Sequence, residues 1–306
     1  MKTIRFSHPV ISLVLSVGIC TAQALCASAA VADTLLSENF DDGGGVNSVF
    51  NFTNSSGQVP TMMGGGPTGN FARLTNLSTS NINSLAFDLA PGSLGPGFTV
   101  FVDFRMTSDA DAMAAGNPFD QAADGLGIGL FDTSLFPATG PLNPLSIWEN
   151  PTIDAPAGSV MMGFDIFNFS AFGGNNVRMT GLSGSVEQLA DLTAPFTLNQ
   201  NVFHQAQWSF SNEGADAKMA LTLVEDVNGT ATVHNLLSGI LVPGFDLDTF
   251  NGRLVLGGRT GAGFANGDFD NIRIQSVPVP PAAILLFSGL IGLIVVGRRD
   301  SLMKTV

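Results

Sequence analysis

The chain has 306 residues, a formal net charge of −13 and only 12 % charged side chains, with 36 glycines, 24 phenylalanines and no tyrosine. From Asp33 to Pro280 acidic residues outnumber basic ones 24 to 7, which argues against nucleic acid as a partner and against electrostatic docking on anionic lipid. The length suits one domain with ample core, and low charge with abundant Gly, Asn and Ser points to a loop-rich β protein rather than a helical one.

Met1 to Ala32 reads as a secretion signal. Lys2 and Arg5 make a charged start, Val10 to Ile19 an apolar centre, and Ala30-Val31-Ala32 before Asp33 fits an A-x-A cleavage site. Ala22-Gln23-Ala24 is a second candidate site, and Gln23-Ala24-Leu25 is a poor approach to a lipid-modified Cys26. Cys20 and Cys26 both precede the preferred cut. The mature protein would then have no disulfide, no thiol nucleophile and no zinc-thiolate site.

The body, residues 33–276, is made of short apolar runs bounded by Gly, Asn, Asp or Pro. Strands are predicted over Phe98–Met106, Leu126–Phe131, Val160–Phe169, Val202–Phe210, Lys218–Glu225, Thr230–Leu236, Arg253–Leu256 and Asp268–Val277. Asp226-Val227-Asn228-Gly229 is predicted to join two of them as a hairpin, because Asn-Gly tolerates the positive φ such turns need. Met62-Met63-Gly64-Gly65-Gly66-Pro67 reads as an exposed loop, and Ser185 to Leu192 as a helical turn or two. Glu38-Asn39-Phe40-Asp41-Asp42 and Asp268-Phe269-Asp270-Asn271-Ile272-Arg273-Ile274 open and close the body and are expected to pair. The predicted fold class is all-β, a two-sheet antiparallel sandwich.

Few side chains suggest chemistry. His204 and His234 fall on different strands with no thiol nearby, so each reads as a strand or surface histidine. No serine sits in a Gly-x-Ser-x-Gly elbow. Asp109/Asp111, Asp246/Asp248 and Asp268/Asp270 pair carboxylates on one face where the chain is extended. They permit calcium, an oxygen-ligated cation, although turn chemistry also accounts for them. Trp208 lies in an apolar strand and is expected in the core. Trp148, in a Pro-rich loop beside Glu149 and Asn150, is the candidate platform for a sugar ring.

With Ala123-Asp124-Gly125-Leu126 and Gly163-Phe164-Asp165-Ile166-Phe167-Asn168 between its paired ends, the body resembles the concanavalin A-like lectin/glucanase jelly roll. The first motif is similar to the legume-type lectin loop whose aspartate holds sugar hydroxyls. The second is similar to the strand leading to that family's metal site. The resemblance implies a carbohydrate-binding set of Asp124, Gly125, Trp148 and Asn175, with Asp124 accepting from sugar hydroxyls. It also marks what is missing. Laminarinase-type glucanases carry Glu-x-Asp-x-x-Glu on one strand, with nucleophile and acid/base about 5 Å apart. Aligned on Asp165, Gly163 and Asn168 stand in those places, so a non-enzymatic protein is expected. Gly163 also removes a glutamate of the lectin metal site, and Gly174-Asn175-Asn176-Val177 offers no counterpart to its histidine. No cofactor is therefore expected, with calcium left open.

The chain ends in Val277-Pro278-Val279-Pro280-Pro281, an uncharged apolar run from Ala282 to Val296, and Gly297-Arg298-Arg299. A helix over 282–297 is predicted. At about 1.5 Å per residue it spans somewhat over 20 Å, short of a roughly 30 Å hydrocarbon core, a gap that snorkelling arginines and bilayer thinning close. Arg298 and Arg299 would face the cytoplasm and leave the body outside. Val277, Pro278, Val279 and Pro280, the apolar run and the double arginine together resemble a PEP-CTERM sorting signal in its VPxPA-like form. Pro281 stands where alanine is commoner, and Asp300 to Val306 is a longer tail than usual. The resemblance implies an exosortase partner (a membrane cysteine protease-transpeptidase), removal of the tail 277–306, and a Gram-negative host that makes exopolysaccharide. The expected protein is exported, briefly anchored through its tail, and delivered to the cell surface or polysaccharide matrix. Its body is expected to be a structural or adhesive matrix component, with a lectin-like module that holds the glycan as the alternative and a glycoside hydrolase with an unfamiliar carboxylate pair ranked last.

Overall fold

The computed structural model describes residues 32–42, 49–88, 94–107, 122, 124–167, 174–227 and 229–277. Thr34–Val277 forms one unit. The expected signal before Ala32, the tail from Pro278 onward, Asn168 and the Asp109/Asp111 pair lie outside the described residues. Among the described residues no helix is long and apolar enough to cross a membrane.

Period-two burial builds the two sheets. In β6 (Gly97–Thr107), Phe98, Val100, Val102, Phe104 and Met106 are buried and the residues between them are half-buried. The same alternation runs through β11 (His204–Glu213) and β12 (Asp216–Val227). Together with β1 (Thr34–Glu38), β3 (Thr61–Gly64), β4 (Asn70–Thr75), β13 (Thr230–Val242) and β15 (Asn266–Ser276) they form an eight-stranded sheet. Its order is β13-β12-β11-β6-β15-β4-β3, with β1 also paired to β15. The second sheet holds β2 (Phe50–Ser56), β5 (Ile82–Phe87), β7 (Gly125–Asp132), β8 (Ser159–Asp165), β9 (Asn176–Thr180), β10 (Gln188–Thr193) and β14 (Gly252–Arg259), ordered β10-β9-β8-β7-β14-β5-β2. Their inner faces meet in one core, where Phe104 of the first sheet stacks on Phe164 of the second at 4.4 Å between ring centroids. This is the expected antiparallel sandwich. Its ends pair as predicted, with Leu36 opposite Ile274 and Glu38 opposite Ile272.

Some boundaries differ from expectation. Gln188–Thr193 is a strand rather than a helical turn, because it completes the sheet edge against β9; a single 3₁₀ turn, Gly184–Val186, precedes it. Residues 61–64 are exposed, as expected of Met62–Pro67, yet they pair with β4 as an edge strand. β8 stops at Asp165, and β13 runs on to Val242. Val227 pairs with Thr230, as expected of the hairpin, and Gly229 takes φ +77°; Asn228 lies outside the described residues.

The second sheet carries a third layer. Outward positions on three neighbouring strands are glycine in one rung: Gly163 of β8, Gly127 of β7 and Gly257 of β14. Glycine inside a strand marks a close approach by other chain. Here the approaching chain is the strap 133–158, which includes the four-residue helix α1 (Pro151–Asp154). A Cβ on Gly257 would fall inside the Trp148 ring, one on Gly127 would meet the Trp148 carbonyl oxygen, and one on Gly163 would reach the Pro151 ring at 2.7 Å. Trp148 is fully buried with Ala86, Phe131, Leu145, Ala155, Met161 and Val255. Its indole N–H donates to Asn143 Oδ1 at 3.2 Å. The expected sugar platform is therefore corrected. The Trp148 ring already lies against protein on the bare backbone of the rung and offers no face to a ligand. Buried Arg253 ties the strap down, donating to Phe87 O at 2.9 Å, Pro137 O at 2.8 Å and Gly140 O, and pairing with Asp88 at 2.7 Å. Trp208 is core, as expected.

Overpacking the rung should be costly. Gly257→Ala is expected to lower unfolding free energy in urea by about 1–3 kcal/mol, and Trp148→Ala by about 3–5 kcal/mol. Combining Gly257→Ala with Trp148→Leu should cost less than the sum of the single changes, because the two clash with each other.

Candidate functional site

One rung further along the second sheet, register brings distant charges together. Gly125 pairs with Asp165 on one side and Arg259 on the other, so all three face outward in a row. Gly125 has φ +155°, and a Cβ there would strike the Phe164 carbonyl and come within 2.9 Å of Glu149 Cβ. Asp124 precedes it. The Asp124 N–H donates to Arg259 O at 3.2 Å, and its carbonyl accepts from Ile166 N at 2.9 Å. The strap delivers Glu149, next to Trp148, into the same place. Asp124, Glu149, Asp165 and Arg259 line a cleft of about 220 Å³ with Asn150 and the apolar Ile147, Ile153 and Phe167. That is smaller than the roughly 300–1,000 Å³ of common small-molecule pockets, so it suits one ring or a chain end.

The cleft is lined by three acidic side chains and the Arg259 guanidinium, and Arg178 pairs with Asp165 from beside it. Arg259 Nη1 donates to Glu149 Oε1 at 2.9 Å, and its Nε lies 3.3 Å from Asp124 Oδ2, an ion contact without hydrogen-bond alignment. Arg178 Nη1 donates to Asp165 Oδ2, and Arg178 Nε is 3.3 Å from Asp191. The Phe167 N–H gives Asp165 Oδ1 a second bond at 2.8 Å. Burial raises all three acids above their ordinary range. Asp124 is pushed up to about 6, with Arg259 opposing and Asp165 adding to the rise. Glu149 is pushed up to about 8, by burial first and then by Asp124, again against Arg259. Asp165 rises by burial, and its Arg178 bond holds it back. Near neutral pH Glu149 therefore keeps its proton, while Arg259 and Arg178 are the cations that lie against Asp124 and Asp165.

Two oxygens in this cleft, Asp124 Oδ2 and Glu149 Oε2, are buried and accept or donate no hydrogen bond. Buried polar atoms are rarely left so. A larger concavity, about 550 Å³, lies on the eight-stranded sheet beside Asp103, Arg105, Phe203 and Gln205. Its charged groups are already engaged: Asp103 by Gln205 and Asn271 at 2.8 Å each, Arg105 by Asp268. The smaller cleft is thus the candidate site.

Of the expected carbohydrate set, Asp124 lines the cleft and Gly125 shapes it. Trp148 is buried beneath the strap, where it positions Glu149. Asn175 is close in the backbone, its N–H donating to Asp165 O at 2.7 Å. Its side chain, however, is spent pinning the following loop, donating to Phe196 O and accepting from Leu198 N at 2.7 Å each. Val277 is described and half-exposed, with its N–H bonded to Gly97 O at 2.8 Å. Of the paired aspartates, Asp268 is held by Arg73 and Arg105, and Asp246 caps its own turn by accepting from Asp248 N at 3.0 Å. Glu149, Arg178 and Arg259 were not singled out from sequence. The available signal was the glycine inside three strand runs.

No protein-family model and no curated protein sequence matches the chain. Solved structures do. The exoplasmic/lumenal domain of VIP36 in its Ca2+/Man-bound form is 14 % identical over 81 % of this chain and 93 % of its own, with a TM-score of 0.54. Its Ca2+-bound form is 13 % identical over 80 % and 90 %, with a TM-score of 0.50. Lectin II from Ulex europaeus is 14 % identical over 80 % and 100 %, with a TM-score of 0.48. At such identity the VIP36 likeness shows a shared fold.

The raised acids fix a pH dependence. A carboxyl whose folded pKa exceeds its unfolded value binds more protons when folded, so stability falls as pH rises. For Glu149 the window runs from its ordinary 4.5 up to about 8. Melting temperature should drop across that range, and Glu149→Gln should flatten the drop above the Asp124 transition near 6. A thermal melt series in pH checks both.

Proposed function

We propose that the body is a lectin-like, non-enzymatic module that binds a glycan through the Asp124–Glu149 cleft. The observation carrying this is a pair of buried oxygens, Asp124 Oδ2 and Glu149 Oε2, that make no hydrogen bond, on two residues that line a space sized for one ring. Hydroxyl groups of a sugar would supply the missing partners, donating to Asp124 and accepting the Glu149 proton. Carboxylates that accept from neutral hydroxyls bind without needing a charged ligand, which suits an acidic body. The VIP36 fold likeness, with a mannose-bound form among the similar structures, points the same way.

The non-enzymatic reading rests on space as well as chemistry. Where the glucanase strand has its nucleophile this chain has Gly163, and the position a side chain would fill is taken by the Glu149 carbonyl and the Pro151 ring. The motif from Val277 to Arg299 supports the second half of the proposal: export, exosortase processing of the tail, and delivery to the cell surface or exopolysaccharide matrix.

Two experiments test these halves. On a polysaccharide panel that includes mannan and the host's own exopolysaccharide, Asp124→Asn should weaken retention by about tenfold or more, the effect of losing one charge-assisted hydrogen bond. Because the change removes one partner of Arg259 and can lower the melting temperature, retention is compared well below the melting point of the variant, and undiminished retention would sink the site. Intact mass of the protein from its native host, with and without the exosortase, should show loss of everything beyond about Pro280 only when the enzyme is present. A full tail in both strains would leave a simple membrane anchor.

A further inference from the structure

The Ca2+-bound relatives raise the question of a divalent cation in this cleft. Calcium takes six to eight oxygen ligands at about 2.3–2.6 Å and prefers ionised carboxylates. The described residues do not fit it. Both oxygens of Asp165 are committed, one to the Arg178 guanidinium and one to the Phe167 N–H. Arg259 lies between Asp124 and Glu149, 3.3 Å from one and 2.9 Å from the other. Glycine at 163 withholds a further carboxylate, and the strap closes over that position. Among the described residues no three His, Cys, Asp or Glu side chains are grouped to hold a metal.

We propose that Arg178 and Arg259 together stand in for the divalent cation, so that the cleft orders its acids and binds its ligand without calcium. This rests on the glycan-binding reading above. The physical equivalence is direct. Two guanidiniums carry the same total charge as one calcium ion, and neither loses it at accessible pH. A calcium ion draws its ligands inward around a point. A guanidinium fork instead fixes each carboxylate in a plane from one side. Arg178 engages Asp165 and Asp191, and Arg259 engages Asp124 and Glu149. Asp124 Oδ2, which meets Arg259 Nε as an ion contact only, and Glu149 Oε2 are buried there without a hydrogen bond. A cation entering this space would meet the Arg259 guanidinium that lines it, and to take Asp165 as a ligand it would have to displace Arg178. Arg259 and Arg178 are thus positioning residues for Asp124 and Asp165.

The test uses the full-length protein in detergent, with mannan and host exopolysaccharide as probes. Retention measured in millimolar EDTA and in millimolar CaCl2 should agree within about twofold, a free-energy difference smaller than a single hydrogen bond. Arg259→Gln should weaken retention in both buffers alike, and added CaCl2 should not restore it. Retention that is lost in EDTA and recovered with CaCl2 would overturn the proposal. So would Ca2+-dependent stabilisation of several degrees that disappears in Asp124→Asn, since a cation bound only by the native state raises melting temperature. The melting comparison needs no glycan. If neither probe is retained in either buffer, the glycan reading fails, while equal melting temperatures in EDTA and CaCl2 would still support the cation-free site.

Discussion

A side chain anywhere on the rung Gly163-Gly127-Gly257 would collide with the strap that lies across it. That prohibition organises the second sheet. It lets Trp148 rest on bare backbone, and the burial of its indole with Phe131, Met161 and Val255 makes a second apolar cluster outside the main core. Because the strap is held there, the next residue, Glu149, has one place to go: beside Asp124 and Arg259 at the end of the strands. The site is therefore a consequence of packing between layers. It combines the start of β7, the strap that links β7 to β8, the end of β8 and the distant end of β14.

Among the described residues most arginines are spent internally, whereas Lys218 pairs with Glu213 at the surface. Arg73 and Arg105 close on buried Asp268, Arg178 on Asp165, Arg253 on Asp88 and strap carbonyls, and Arg259 on Asp124 and Glu149. Arg273 lies over the Phe101 ring at 4.9 Å. Breaking a buried pair by removing one partner leaves an uncompensated charge in a poorly solvated place, which costs far more than the pair contributes. These arginines thus act as fixed counter-ions that set where each carboxylate can sit. The exterior keeps the negative excess, consistent with a protein that does not rely on charge attraction to reach its ligand.

Much of the sandwich was legible in sequence because half-buried strands alternate. Phe98 to Met106 could hardly be anything else, and the two ends of the body do pair, though through Thr34–Glu38 and Ile272–Gln275 rather than through Phe40–Asp42 and Asp268–Asp270. Gln188–Thr193 was not legible, since an edge strand with one half-buried face carries little apolar signal. Asp124 stood out through its motif. Glu149 did not, because its role depends on the strap crossing residues 127, 163 and 257, a relation set by register across three strands. Trp148 was misread for the same reason. A tryptophan among prolines and polar residues resembles an exposed platform until the glycines that receive it are seen to lie in one row. Those glycines, each inside an otherwise apolar strand, were the visible clue to close backbone approach.

The filled face also limits how a glycan can be engaged. With Trp148 and the strap occupying the outer surface of the second sheet, no open groove runs along β7, β8 and β14 for the interior of a polymer. What is left on that face is a cleft of about 220 Å³ at the strand ends. On the glycan reading, such a site contacts one terminal or side-branch ring and gains little buried area from it, so each encounter is weak. Retention on a polysaccharide must then come from many copies acting together, where linkage converts later contacts into intramolecular ones and multiplies weak affinities. The proposed sorting to a surface would supply that condition, because a protein concentrated there would present its cleft many times over to the same polymer. The proposed cation-free site and the proposed sorting signal would then fit one strategy, in which copy number rather than site size holds the matrix.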